Sequence, residues 1–365
     1  MSETGRVAVV LKNRGEFEFR EYEVPSPSPD AIVVKMSQCN ICGSDIHLWH
    51  GSAAPLKEGL PQILGHEMVG TVHKLGSQVE TDSLGQKLEE GDRVVYTYFR
   101  LCGRCHFCLS GDANCPTLHA HWVGVSSDEP PHFNGGFGEY YYLGPGHSVF
   151  KIPDELPDDL VSPVNCAAAQ MMFGLGKIGI RPGDAVVIQG AGGLGLYSIA
   201  MAREMGAGKI LVIDARPERL KLAEDFGADL VLNVNETKER ERLVSILKET
   251  NRLGADLGIE VAGFPPTLVE GIKMLRNGGR YLTTGNIIQG QVSIEPAEIV
   301  RKALTIQGAY GYQPRAIPEA IDFIARTKEK YPYEKLISHH YKFDDINEGM
   351  AFADEGNAIR VTLDF

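Results

Sequence analysis

No cluster of basic residues occurs in this chain, and no uncharged apolar run reaches the roughly 18 residues needed to cross a bilayer. The first absence weighs against nucleic acid and anionic lipid as partners, because 36 lysines and arginines face 48 acidic residues, a net charge of -12. The second weighs against a membrane span. The opening MSETGRVAVVLKNRG has no basic segment followed by an apolar one, so no secretion signal is read and a cytoplasmic location is expected. Internal repeats and low-complexity stretches are missing as well, and 43% hydrophobic with 23% charged residues is the balance of a globular protein rather than a disordered one. Cysteine is scarce and odd in number. Seven of them, unevenly spaced and mostly flanked by polar residues in an apparently intracellular chain, point to metal ligands rather than to a disulfide framework.

What is present divides by texture. A chain of 365 residues is long for a single core at about 150 residues per domain, which suggests two. Up to about Pro163, short β-type runs (Ala31 to Met36, Gly70 to Leu75, Arg93 to Tyr96) alternate with Gly, Pro and Asp turns. From about Arg181 to Ala309, apolar strands (Ala185 to Gln189, Ile210 to Asp214, Leu230 to Asn233, Leu257 to Val261) alternate with helical stretches, the pattern of βαβ units and a parallel sheet. The remainder, with a helix expected near Pro318 to Lys330 and a last strand over Arg360 to Phe365, has no nucleotide-fold texture and is expected to return to the first domain. The boundaries read this way are 1–166, 167–309 and 310–365. The proline- and charge-rich stretch Ser126 to Phe133 is expected to be a surface loop.

The strand AVVIQ runs into GAGGLG and then a helical stretch, so G-x-G-x-x-G stands in the context it requires. Gly190 permits the tight turn, Gly192 lets backbone approach a pyrophosphate, and Gly195 allows the helix to pack closely on the strand. Together with Gly193 and Leu194 they form the predicted cofactor-binding loop, with helix N–H groups facing the phosphates. Asp214 ends the next strand, where its carboxylate would accept from the adenosine ribose hydroxyls and repel a 2′-phosphate. NAD is therefore expected over NADP, with Arg216 nearby leaving room for some tolerance. The cysteines give a second signal. Cys102, Cys105, Cys108 and Cys115 follow C-x2-C-x2-C-x6-C within one loop, enough thiolates to close the shell of a structural zinc. Cys42, His66 and Cys166 are dispersed, but together they offer two thiolates and one imidazole, a set that leaves a fourth zinc position open.

Taken with GHEMVGTVHKLGS, the GDRV turn, GGFGEY and the closing NAIRVTLDF, all in order, the sequence resembles the zinc-dependent medium-chain alcohol dehydrogenases over nearly its full length. The resemblance implies an α/β two-domain fold. In it, a GroES-like β-rich catalytic domain carries the zincs and joins a Rossmann doubly wound parallel sheet, with the active site in the cleft between them. It implies two Zn2+ per subunit, with Cys42, His66 and Cys166 as catalytic ligands, Glu67 as an outer carboxylate or transient ligand, and Asp45 orienting His66. Ser44 and His47 would pass the alcohol proton outward, Arg219 would lie near the adenosine ribose, and Arg360 near the pyrophosphate. Position matching suggests Trp49, Tyr98, Asn286 and Tyr310 around the substrate.

Two departures from the family stand out. The polyol-type glutamate of an E-P-L stretch is absent from Ser162-Pro163-Val164-Asn165-Cys166, and six residues rather than seven separate Cys108 from Cys115. The activity implied is hydride transfer between an alcohol, secondary or cyclic in the narrower expectation, and NAD, by a homo-oligomer with tetramer favoured over dimer. Rival readings are a polyol, amino-alcohol or aldehyde-processing dehydrogenase, a zinc-free quinone or enoyl reductase, and a non-catalytic NAD-binding protein.

Overall fold

The computed structural model describes residues 2–365 apart from 119–121 and 123. The chain forms two compact units: Met1–Ala169 with Gln313–Arg326 and Tyr333–Phe365, and Gln170–Tyr312 with Thr327–Pro332. The division at 166/167 and 309/310 read from the sequence lies a few residues from these borders, and Thr327–Pro332 goes with the second unit.

In the first unit, the strands His339–Lys342, Val361–Asp364, Ile32–Ile41, Glu67–Leu75, Arg93–Tyr96 and Val149–Lys151 lie side by side, with Tyr140–Leu143 also paired to Ile32–Ile41. The β-branched run IVV makes Ile32–Ile41 a strand whose Ile32, Val33 and Val34 are all buried, and Met68, Val94, Phe137 and Leu363 join them in one core. The closing strand Val361–Asp364 pairs antiparallel with Ile32–Ile41, so the C-terminal segment does return to the first unit, as its texture predicted. Across the next two strands Thr362 faces Asn40 and Asn40 faces Glu67. The stretch Ser126 to Phe133 is only partly a surface loop. Ser127 and Phe133 at its ends are buried, and the Ser127 N–H donates to the Pro61 carbonyl. Only its middle, Asp128 to Pro130, is exposed, because burying Phe133 draws the loop's end inward.

The second unit holds a six-stranded, all-parallel sheet in the order Leu230–Asn233, Lys209–Asp214, Ala185–Gln189, Ala255–Glu260, Leu275–Thr283, Thr305–Gly308. Numbered along the chain this is 3-2-1-4-5-6, the doubly wound order in which ligands bind beyond the carboxyl ends of the strands where the winding reverses. The reversal falls between Ala185–Gln189 and Ala255–Glu260. The helix Gly193–Glu204 follows the first of these, and Gly195 to Ala202 are all buried. Among the described residues no helix is long and apolar enough to cross a membrane.

Candidate metal centre and dinucleotide loop

Cys42 follows the strand Ile32–Ile41 directly and caps the helix Gly43–His50, the third residue of which is Asp45. An acid at this position reaches back to the cap, and here it does more. Asp45, fully buried, accepts from the Cys42 N–H at 2.9 Å through Oδ2, while Oδ1 accepts from the Gly65 N–H and from His66 Nδ1, both at 3.0 Å. One carboxylate thus fixes the backbone of one candidate ligand and the ring of another. The His66 proton is placed on Nδ1, and Nε2 is left to a metal. Cys166 sits on a single π-helical turn, Val164–Ala168, anchored by Asn165 Nδ2 donating to the Tyr96 carbonyl. That turn brings Cys166 Sγ to 3.4 Å from His66 Nε2.

The ligand atoms of Cys42, His66, Glu67 and Cys166 all lie within 4.8 Å of one another. A tetrahedral zinc with bonds of about 2.0 to 2.3 Å has ligand-to-ligand edges of about 3.3 to 3.8 Å, so the set fits one ion. Its protons agree. Burial disfavours a charged His66, but the Asp45 carboxylate, by charge and hydrogen bond, outweighs burial with help from Cys42 and pushes His66 up to about 10. The Cys166 hydrogen bond holds Cys42 well below the ordinary thiol range, whereas that bond and burial raise Cys166 well above it. Without a cation these shifts favour the charged forms of Cys42 and His66 and the neutral form of Cys166. A divalent ion would replace the His66 and Cys166 protons, as metal binding to such donors requires. The Ser44 hydroxyl lies 3.1 Å from His66 Nε2 and 3.3 Å from Cys42 Sγ, at the edge of the set. His47, one turn along the helix, is half-buried with its Nδ1 3.4 Å from Ser52 Oγ.

Cys102, Cys105, Cys108 and Cys115 also converge within 4.8 Å, with Cys105 Sγ 3.4 Å and Cys102 Sγ 3.9 Å from Cys108 Sγ. The six-residue spacing therefore still brings all four sulfurs together. Burial opposes a charged Cys115, but N–H and hydroxyl donors from Cys102 and Thr117 bring it down to about 6, a thiolate at neutral pH.

In the second unit the glycines of the loop meet the requirements read from their spacing. Gly190 has φ +109°, and a Cβ there would lie 2.8 Å from Ala262 backbone. At Gly195 a Cβ would lie 1.9 Å from the Gly190 carbonyl oxygen, whereas at Gly192 it would meet only Arg219 Nη1 at 3.9 Å. The first and third are closed to any side chain; the second stands clear, as an approaching pyrophosphate needs. Gly193 and Leu194 form the first turn of the helix that follows. Asp214 Oδ2 accepts from the Ala191 N–H at 2.6 Å and Oδ1 from the Arg216 N–H at 2.9 Å, tying the acid to the loop. Arg219 stands beside Gly192.

Arg360, which the resemblance would put near the pyrophosphate, has its guanidinium in an ion pair with Glu67 in the first unit, both residues buried. A buried cation requires an opposite charge, and Glu67 supplies it. Trp49 donates its Nε1–H to the Gly15 carbonyl at 2.8 Å and packs on the core beside His50. Among the described residues, the rings of Tyr98 and Trp122 lie against His66, each 4.9 Å away centre to centre. Trp122 was not legible in the sequence as a site residue; being one of two tryptophans was its only signal. In the second unit the buried side-chain amide of Asn286 has no partner among the described residues, and Tyr310 is half exposed.

Residues 28–154 match the alcohol dehydrogenase GroES-like domain and residues 193–326 the zinc-binding dehydrogenase domain. Over 351 residues, 94% of each chain, the protein is 31% identical to an L-threonine 3-dehydrogenase of Stenotrophomonas maltophilia. The chain belongs to the zinc-dependent medium-chain alcohol dehydrogenase family. It is 29% identical to the 5-exo-hydroxycamphor dehydrogenase of Pseudomonas putida over 361 residues, 98% of each. The crystal structure of an alcohol dehydrogenase from Thermotoga maritima superposes with a TM-score of 0.92 at 30% identity, covering 100% of both chains. This dehydrogenase is an oxidoreductase of alcohols that uses zinc and a nicotinamide cofactor.

Proposed function

We propose that the protein interconverts a secondary or cyclic alcohol and its ketone with NAD, using a catalytic zinc on Cys42, His66 and Cys166 and a structural zinc on Cys102, Cys105, Cys108 and Cys115. The observation that carries the substrate reading is the pair of rings, Tyr98 and Trp122, flanking His66. They offer a mainly apolar wall beside the ligand set, which suits a ring better than a polyol. The name of the Pseudomonas putida relative, a dehydrogenase of a cyclic secondary alcohol, agrees. When bound, zinc acidifies the alcohol hydroxyl and nicotinamide takes the hydride. The residues do the rest. Asp45 holds His66 and Cys42 in place; Gly190, Gly192, Gly193, Leu194 and Gly195 seat the pyrophosphate; Asp214 and Arg219 take the adenosine ribose. The proton leaves through the Ser44 hydroxyl toward His47.

A panel of primary, secondary, cyclic and polyhydroxylated alcohols and L-threonine, run with NAD and with NADP, tests the reading. The highest kcat/KM is expected on cyclic secondary alcohols with NAD. Best turnover on polyols would overturn the substrate class, and best turnover on L-threonine would support the amino-alcohol reading that the Stenotrophomonas relative's name suggests.

Burial pushes His47 below its ordinary pKa of 6.5. The neutral imidazole, able to accept a proton, therefore persists to lower pH than in a free histidine. His47→Gln is expected to slow oxidation about tenfold near pH 7 and little near pH 9, where hydroxide takes over. An unchanged pH profile would remove His47 from the relay.

The protein is further proposed to be a cytoplasmic homo-oligomer, tetramer or dimer. Its parallel sheet ends on Thr305–Gly308, where Thr305, Ile306 and Gly308 are exposed and the outer edge is open to pairing with a second copy. A monomeric mass in light scattering would remove that part.

A further inference from the structure

The sheet of the first unit carries a rank of polar side chains that the proposed reaction does not use. Thr362, Asn40 and Glu67 are direct partners across three adjacent strands, and cross-strand partners project from the same face. Ser162, just before the turn that presents Cys166, stands against this rank. All four are completely buried. Buried polar atoms need partners, and here their distribution is one-sided. Asn40 Nδ2 donates to Ser162 Oγ at 3.1 Å and to Glu67 Oε2 at 3.4 Å, and Ser162 Oγ donates in turn to Asn40 Oδ1 at 3.4 Å. Arg360, two residues before Thr362, pairs with the same Glu67 Oε2. Glu67 Oε1 is buried and has no hydrogen-bond partner among the described residues. Glu67 nonetheless brings a carboxylate oxygen within 4.8 Å of the ligand atoms of Cys42, His66 and Cys166.

A carboxylate gripped by one oxygen, with the other left unsatisfied beside a metal-binding set, is held between two destinations. We propose that Asn40 and Ser162 are positioning residues: their mutual hydrogen bonds aim the Asn40 amide at Glu67 Oε2 and, together with Arg360, set how often Glu67 joins the metal as a ligand. The metal's rate of exchanging ligands follows from that share. The mechanism acts through Glu67 alone, and Ser162 acts only through Asn40. It rests on the reading of Cys42, His66 and Cys166 as a metal site.

The test uses full-length protein loaded with Co2+, whose visible ligand-field bands respond to coordination number and donor type. The contribution of this site is isolated as the difference from Cys166→Ala. Asn40→Ala and Ser162→Ala are expected to shift these bands in the same direction and to change Co2+ release to a chelator by about tenfold, the order of effect that losing one hydrogen bond to a charged group produces. Ser162→Thr, which keeps the hydroxyl, restores the wild-type spectrum. In a Glu67→Gln background, Asn40→Ala adds nothing further.

Bands and release unchanged in both alanine variants, with only thermal stability lowered, would reduce Asn40 and Ser162 to packing and overturn the proposal. So would a spectral shift that persists without the Glu67 charge. A wild-type spectrum that Cys166→Ala leaves unaltered is a different failure: it removes the metal from this set and takes the proposal with it.

Discussion

Cys166→Ala is expected to leave the protein folded, with about one zinc per chain instead of two, and to lower kcat/KM for alcohol oxidation by at least about a thousandfold. The size follows from what the cluster does. On the proposed assignment the second thiolate would complete a set of three donors for the ion and leave one position for substrate, and acidifying an alcohol hydroxyl is worth several kcal/mol of barrier at about 1.4 kcal/mol per factor of ten. Cys105→Ser gives the complementary result. Its sulfur lies 3.4 Å from Cys108 Sγ in the other cluster, and its loss should release the other zinc. Turnover would stay within a few-fold of wild type, while the segment from Cys102 to Cys115 becomes open to proteolysis. Zinc analysis, steady-state kinetics and limited proteolysis on the two variants read this out. Equal loss of activity in both would mean that the division into catalytic and structural sites is wrong.

The second large effect is expected at Asp214. Its two oxygens accept from the Ala191 and Arg216 N–H groups, so the acid is fixed to the glycine loop and cannot swing away from a 2′-phosphate. Asp214→Asn keeps a carbonyl oxygen for the Ala191 N–H and removes the charge. Juxtaposed like charges cost several kcal/mol, and each 1.4 kcal/mol is tenfold, so the NAD-to-NADP ratio of kcat/KM should fall by about a hundredfold. The gain should come mainly through a lower KM for NADP. A ratio that does not move would assign the discrimination elsewhere, with Arg216 the first residue to examine.

Two of the features these predictions touch, the glycine loop and the four-cysteine lobe, were legible from local spacing. The glycine motif is six consecutive residues running from a strand end into the first turn of a helix, and the four-cysteine lobe is one short segment; chemistry confined to a few neighbouring residues can be read without the fold. Cys42, His66 and Cys166 were legible by residue type, because two thiolates and an imidazole make a recognisable donor set, but their convergence depends on a strand end, a turn and a π-helical turn. Asp45 was legible only for its contact with His66. That it also holds the Cys42 backbone follows from helix capping.

Other features lay beyond reach for stated reasons. Leu275–Thr283 is a central strand whose LRNGGRYLT lacks an apolar run, and it survives because its end, from Arg280 on, pairs on both sides. Thr305–Gly308 is an edge strand and mostly exposed, so it carries little hydrophobic signal. Trp122, which packs on His66, was not singled out because aromatic residues give no sign of which neighbours they join. The rank of Thr362, Asn40 and Glu67 depends on strand register between positions 27 and more than 300 residues apart in sequence, which no local pattern encodes.

That last strand also governs the order in which the molecule is made. Val361–Asp364 lies directly against Ile32–Ile41, so the strand that leads to Cys42 and pairs with the one bearing Glu67 lacks this neighbour until more than 300 further residues have been made. The parallel sheet, contained in Gln170–Tyr312, has all its strands well before then and is free to fold on the ribosome while the earlier-made segment waits. Arg360, the counter-charge to Glu67, emerges after every strand of the parallel sheet. A nascent chain stalled short of it would hold a finished nucleotide-binding half and an N-terminal half with an open seam, the form in which a chaperone would meet this enzyme.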